Sequence, residues 1–272
     1  MVKKFKVLRE NLKSPFQNFQ YEIGKDYTCK DFDESDKKCS SGFYATDLEG
    51  IIYSFKKGMK VFEVEMSGRE IKFDQFKHRW EKQRIIREIT EEELKKLLKN
   101  ECENVGYNIL EACFPVNPLT GEAKEVTDKE IELLKEWISI FNSIRDSIHD
   151  SIHDSIYDSI RDPDIFDSIF NSIFNSIHDS IHDSILFSIY IRDSIHDSIF
   201  NSIRDSIRDS IYTYISSLFL NIRTWKYIDH DEGINPFQPG IDLWKSGFVP
   251  SFDGANWRLH SGNGKIVYEM GI

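Results

Sequence analysis

The sequence predicts an α+β protein in three parts: an N-terminal α+β domain over residues 1–126, a central elongated tetrapeptide-repeat region over 127–216, and a small C-terminal cap of one helix and a β-hairpin over 217–272. Three observations carry this. Apolar and acidic residues alternate through Val61-Phe62-Glu63-Val64-Glu65-Met66, the period of a half-buried strand, and Thr90-Glu91-Glu92-Glu93 then opens a helix with a capping box. From Phe141 to Ile215 a unit [Asp/Asn]-Ser-Ile-x recurs with few interruptions, x being Arg, His, Tyr or Phe. Behind it, Trp257–His260 and Lys265–Glu269 flank Ser261-Gly262-Asn263-Gly264 as two strands flank a hairpin turn.

In chain order, Lys4–Arg9 and Phe19–Ile23 read as short strands around a loop with Ser14-Pro15. An acidic loop at 30–36 follows, and Thr46 or Asp47 is placed to cap a helix through Leu48–Phe55. Ser67-Gly68 marks a turn, with Glu70–Phe73 as the hairpin partner of 61–66. Gln83–Ile89 suits a strand, and the helix opened by Thr90 places Leu94, Leu97 and Leu98 on one face and ends near Asn100. Asn108–Phe114 forms another short helix before a loop with Pro115, Pro118 and Gly121. A second capping box, Thr127-Asp128-Lys129-Glu130, starts the plainest helix in the chain, which runs into the array with no Gly or Pro between.

Within the array, isoleucines fall every four residues in three blocks, 140–160, 165–189 and 191–215, with phase slips at Asp162-Pro163-Asp164 and Tyr190-Ile191. A flat strand is excluded, because half its inward positions would be carboxylates. An α-helix is favoured, with Asp162-Pro163 as an N-cap and first-turn pair for a second helix; its isoleucine line winds about 40° per unit. A β-solenoid is the alternative, since it stacks identical residues into ladders, although the array has no Gly for its corners. In either form one Ile in four cannot bury itself in an isolated rod. Ile148, Ile152, Ile156, Ile169, Ile173, Ile177, Ile199, Ile203 and Ile207 are therefore the expected interaction residues, for a homo-oligomer or a protein partner.

Charge narrows the function. The net charge is −11, and residues 140–216 hold 13 Asp against 5 Arg while residues 1–126 are balanced, so the array repels phosphate backbones and nucleic-acid binding is not expected. No apolar run reaches the roughly 20 residues of a membrane span. No apolar stretch follows the basic start, so no signal peptide is read. Cys29, Cys39, Cys102 and Cys113 have neither C-x-x-C nor zinc-finger spacing, which fits free thiols in the cytoplasm.

Candidate sites are few, and each has a plain structural counterpart. The pairs His149/His153 and His178/His182 stand at i, i+4, a spacing that can clasp a metal on a helix, but x accepts Arg, Tyr and Phe equally, as a solvated variable position would. Protonation of the array's five histidines would also weaken repulsion between arrays. Asp229-His230-Asp231 is a metal cluster or a solvated loop, and the cations around Trp80 are an anion patch or a face neutralised by Glu81 and Glu88. Gly42-Phe43-Tyr44-Ala45-Thr46-Asp47 with Tyr53 resembles a strand–helix segment of ADP-ribosyltransferase-like folds, whose aromatic residues sandwich a nicotinamide. That would give Tyr44 and Tyr53 a cofactor-binding role, although no catalytic Glu or His-Gly partner accompanies them.

Residues 237–244 (Phe-Gln-Pro-Gly-Ile-Asp-Leu-Trp), 249–254 (Val-Pro-Ser-Phe-Asp-Gly) and Trp257-Arg258-Leu259-His260 resemble the end of an uncharacterised group of bacterial and phage proteins. In that group a tandem Asp-Ser-[Val/Ile/Ala]-x array lies between two globular ends. Gly68-Arg69-Glu70, Asp74-Gln75-Phe76-Lys77 and Ile85-Ile86-Arg87-Glu88 resemble its front part. The resemblance implies no activity and no cofactor. The expected function is a structural or interaction protein whose array mediates self-association or partner binding; the alternative is a nucleotide- or NAD-linked enzyme in the N-terminal domain, with the array as spacer.

Overall fold

Residues 2–35, 37, 39–56, 58–72, 78–144, 147–159, 164–174 and 196–271 are described in the computed structural model, with backbone alone at 196–201 and 204. They fall into two compact units, Met1–Cys113 and Phe114–Ile272, so the repeat and the C-terminal segment share one unit with residues 114–126. Both are α+β with antiparallel sheets.

In the first unit β1 (Val2–Arg9), β2 (Asp26–Thr28), β3 (Phe43–Ala45), β4 (Met59–Lys72) and β5 (His78–Ile89) form a sheet of order β1-β4-β5-β2, with β3 also on β5. The alternating stretch lies in β4 and buries Val61, Phe62, Val64 and Met66. Ser67-Gly68 is not the expected hairpin turn. β4 continues to Lys72, with a register shift against β5 between Ser67 and Glu70, and the φ of +82° at Gly68 is absorbed as a bulge. Phe19–Ile23 contributes bridges (Lys13 to Gln20, Ile23 to Ile85) in place of a strand.

The helix expected over 48–55 is a single 3-10 segment, Glu49–Tyr53, with no side-chain cap. Thr46 is bridged through its backbone to Phe5 two residues before the N-cap position, which falls at Leu48, and the Asp47 carboxylate holds Lys4 at 2.5 Å. The Thr90 hydroxyl accepts from the Glu93 N–H as expected and starts α1 (Glu91–Val105), which buries Leu94 and Leu98. It ends five residues later than Asn100, at Gly106 with φ +80°, the left-handed position that a helix terminus favours. Asn108 accepts from the Glu111 N–H (3.1 Å) and opens α2 (Ile109–Cys113).

The second unit contains α3 (Asp128–Ile144), α4 (Ile148–Tyr157), α5 (164–174), α6 (His196–Ser216), α7 (Gln238–Ser246) and a sheet of β6 (Val249–Phe252), β7 (Asn256–Ser261) and β8 (Lys265–Gly271), in that order. The Thr127 N–H donates to Glu130 Oε2 (3.1 Å), the reciprocal half of a capping box. The helix does not run unbroken into the array: α3 stops at Ile144, the Ser147 N–H returns to the Ile144 carbonyl, and α4 starts anew. A fresh helix start resets the isoleucine line, which winds about 40° per unit along one straight helix. Asp162 and Pro163 lie outside the described residues.

The hairpin β7–β8 is as expected, and β6 adds a third strand. Trp137, Trp244 and Trp257 are fully buried in this unit. Trp244 stacks on Tyr214 (4.9 Å, 10°) and donates to the Val116 carbonyl (2.8 Å), and Phe141 meets Trp257 edge-on at 4.9 Å. No helix among the described residues is long and apolar enough to cross a membrane.

Candidate functional site

Each column of the four-residue unit does a different job where the array is described. The isoleucines turn inward: Ile148, Ile152, Ile156, Ile169 and Ile173 are fully buried, and Ile203 and Ile207 nearly so. They form part of the core of the unit they belong to. Ile177 and the side chain of Ile199 lie outside the described residues.

The x column is an aromatic ladder. His149 and His153 stack at 5.6 Å, His153 stacks on Tyr157 at 4.1 Å, and Phe166, Phe170 and Phe174 repeat the arrangement along α5. Tyr212 of α6 joins the two rows, edge-on to His149 (4.4 Å) and stacked on Phe170 (5.0 Å). The i, i+4 spacing that can clasp a metal here sets two imidazoles face to face, with Nδ1 of each at its own neighbour, Asp150 (3.0 Å) or Asp154 (3.2 Å). Among the described residues no three metal-ligating side chains come together. His178 and His182 lie outside them.

The serine column binds main chain, which sequence reasoning missed. On α4 the Ser151 hydroxyl donates to the Lys226 carbonyl, and one turn on Ser155 accepts from the Lys226 N–H (2.9 Å). On α6 Ser206 accepts from the Phe252 N–H (2.8 Å), and the Ser210 hydroxyl reaches the Pro250 carbonyl (2.9 Å). All four serines are buried. The second pairing follows from two rises: four residues of α-helix advance about 6 Å, and two residues of extended chain about 6.6 Å. A serine every fourth residue therefore keeps step with every second residue of a strand. The only local signal was a buried-capable hydroxyl at constant spacing; its partners lie 40 and more residues away.

Next to this contact lies an open cleft of about 450 Å³. Phe141 and Phe252 line it with rings, and Ser202 and Ser206 contribute the serine column. Asp205, Asp209, Arg208 and His149 supply the charged and titratable groups. Arg208 leans over the Tyr212 ring, 5.6 Å from its centroid.

The remaining candidates have these surroundings. The Tyr44 hydroxyl donates to the Ser40 carbonyl (3.1 Å) and accepts from Arg79 (3.3 Å), while Tyr53 ends the 3-10 segment. Of the cations around Trp80, His78 meets Glu70 (2.8 Å), Arg87 pairs with Glu63 and Glu93, and Trp80 itself is buried. His230 accepts from the Trp225 N–H (2.8 Å) and donates to the Asp231 carbonyl (2.9 Å), so both ring nitrogens tie the loop. None of the four cysteines is in a disulfide, and burial pushes the Cys113 thiol up to about 12.

Ser251 and His260 form a pair with the orientation of a nucleophile and its base. Nδ1 faces the Gly264 carbonyl (3.0 Å) and must carry the proton, so Nε2 accepts from the Ser251 hydroxyl (2.7 Å). Both side chains are buried, at 0% and 2% exposure, which closes the pair to any substrate. Burial holds His260 below its ordinary 6.5. Between the two values the unfolded chain takes up a proton that the folded one refuses, so stability present above about pH 6.5 is lost as pH falls through that window. Urea unfolding of the second unit is expected to weaken from pH 7.5 to 5.5, with a shallower slope in His260→Gln; equal slopes would remove His260 as the cause.

A domain family described as a domain of unknown function (DUF7666) matches residues 2–97, from β1 into α1, and stops short of the array. The match covers about a third of the chain and is consistent with an uncharacterised family. No curated protein and no solved structure matches the chain.

Proposed function

We propose that this is an interaction protein whose array holds protein main chain through its serine column, within its own fold and in a second copy or another protein. The observation that carries this is the repeated pairing, Ser151/Ser155 on Lys226 and Ser206/Ser210 on Pro250 and Phe252. On both helices serines one unit apart take main-chain groups, from two strand residues on α6 and from the single turn residue Lys226 on α4. The described isoleucines are occupied in the core, so association would use x positions and serines other than the four already bonded within the fold. The array's excess of Asp opposes a nucleic-acid partner, and four cysteines outside disulfides suit a reducing cytoplasm.

The test is sedimentation of the full chain over a concentration series, alone and with dye-labelled extended peptides. Mass above 32.0 kDa or uptake of peptide is expected; a chain that stays at 32.0 kDa and takes up no peptide refutes the reading. Ser206→Ala, which strands the buried Phe252 N–H, is expected to destabilise the second unit by about 1–2 kcal/mol.

A further inference from the structure

We propose that His149 and His153 on α4 bind a divalent transition-metal ion of the zinc, nickel or copper type. The site belongs to the x column and does not depend on the serine contacts argued above.

Spacing and tautomer carry it. Residues four apart on a helix share a face, and here the two imidazoles lie nearly parallel, 16° from coplanar with centroids 5.6 Å apart. Nδ1 of His149 stands 3.0 Å from Asp150 Oδ1, and Nδ1 of His153 stands 3.2 Å from Asp154 Oδ1. An ionised carboxylate can only accept, so in each neutral ring Nδ1 carries the proton and Nε2 keeps the lone pair. Neither Nε2 has a hydrogen-bond partner among the described residues. A carboxylate on the far nitrogen is the support that metal-ligating histidines usually have, since it fixes the ring and makes the ligating nitrogen more basic. The unit supplies that support twice, because Asp directly follows each of these two histidines. Asp154 is itself held in place by the Tyr227 hydroxyl (3.0 Å).

The donor type sets the ion. Imidazole nitrogen suits zinc, nickel and copper, while magnesium and calcium favour oxygen. Two nitrogens on one zinc ion stand at most about 4.2 Å apart, so the rings must lean together from their present spacing. Their side chains are 38% and 32% exposed, which leaves freedom for that movement and access for water. With two protein donors and water in the remaining positions, the bound ion would exchange readily.

The test is calorimetric titration of the full chain with Zn2+ and Ni2+, with Mg2+ as the control. His149→Gln with His153→Gln is expected to remove one equivalent of bound Zn2+ per chain, whatever other histidines take up. Asp150→Asn with Asp154→Asn is expected to weaken that equivalent about tenfold while leaving both imidazoles in place. A second measurement needs no variant: Zn2+ is expected to slow modification of both rings by diethyl pyrocarbonate at least fivefold, read by peptide mass, and Mg2+ to leave it unchanged. Unchanged Zn2+ stoichiometry in the double histidine variant, or equal modification with and without Zn2+, overturns the site and leaves the serine-column reading standing.

Discussion

Replacing Arg79 with methionine is expected to destabilise the first unit by about 3–5 kcal/mol, the range for breaking a buried charged network. Arg79 is fully buried, and its guanidinium gathers the carbonyls of Asp33 (2.5 Å), Ser35 (2.5 Å) and Lys37 (2.9 Å) together with the Tyr44 hydroxyl. The Phe32 ring lies 5.6 Å from it. No methionine can satisfy those acceptors, so the loop they belong to should open with its backbone unpaired. Gly42 shows how closely the loop is drawn in, since a Cβ there would sit 2.5 Å from the Arg79 Cγ. Thermal melting together with limited proteolysis checks this: cleavage should appear between residues 31 and 42. Arg79→Lys should recover little, because one ammonium cannot span a planar set of acceptors. A loss under about 1 kcal/mol would mean that the loop is held from elsewhere.

Gly262→Ala is expected to cost the second unit about 3 kcal/mol or more, through overpacking against backbone. Gly262 has φ +26°, and a Cβ there would stand 2.1 Å from the Ala123 nitrogen. Backbone cannot rotate aside as a flexible side chain can. The strand of contacts that binds residues 119–124 to the β7–β8 turn would part: the Asn263 N–H on the Leu119 carbonyl (2.6 Å) and the Lys124 N–H on Ser261 Oγ (3.2 Å). Gly254→Ala is the control. It too has a positive φ, +98°, but nothing within 4 Å, and should cost only about 1 kcal/mol. Denaturant unfolding of the pair separates crowding from backbone conformation; equal losses would assign both to conformation alone.

Local signals were legible in the sequence. Thr90 and Thr127 start their helices because a cap joins residues three apart, and β7–β8 forms because its turn joins neighbours. Non-local partners were not. Ser67-Gly68 reads as a turn until β5 is seen to bridge it, and Thr46 reads as a cap until Phe5 takes its backbone. The isoleucine line was visible in outline, but not that the chain would break after Ile144 to aim it again at the core. Most of the candidate site was hidden for the same reason. Ser206 carries no mark that distinguishes it from Ser198, and its role comes from Phe252, 46 residues on.

The tetrad spacing makes the length of the array an aiming device. Gain or loss of one whole unit leaves the serine, isoleucine and x columns intact, yet swings whatever follows through about a ninth of a turn and shifts it by about 6 Å. On the proposed docking role, a change in the number of units within one helix would re-aim recognition without altering the residues that make contact. Relatives with longer or shorter arrays would then present the same chemistry in different directions, and partner choice would follow unit number before it followed residue identity.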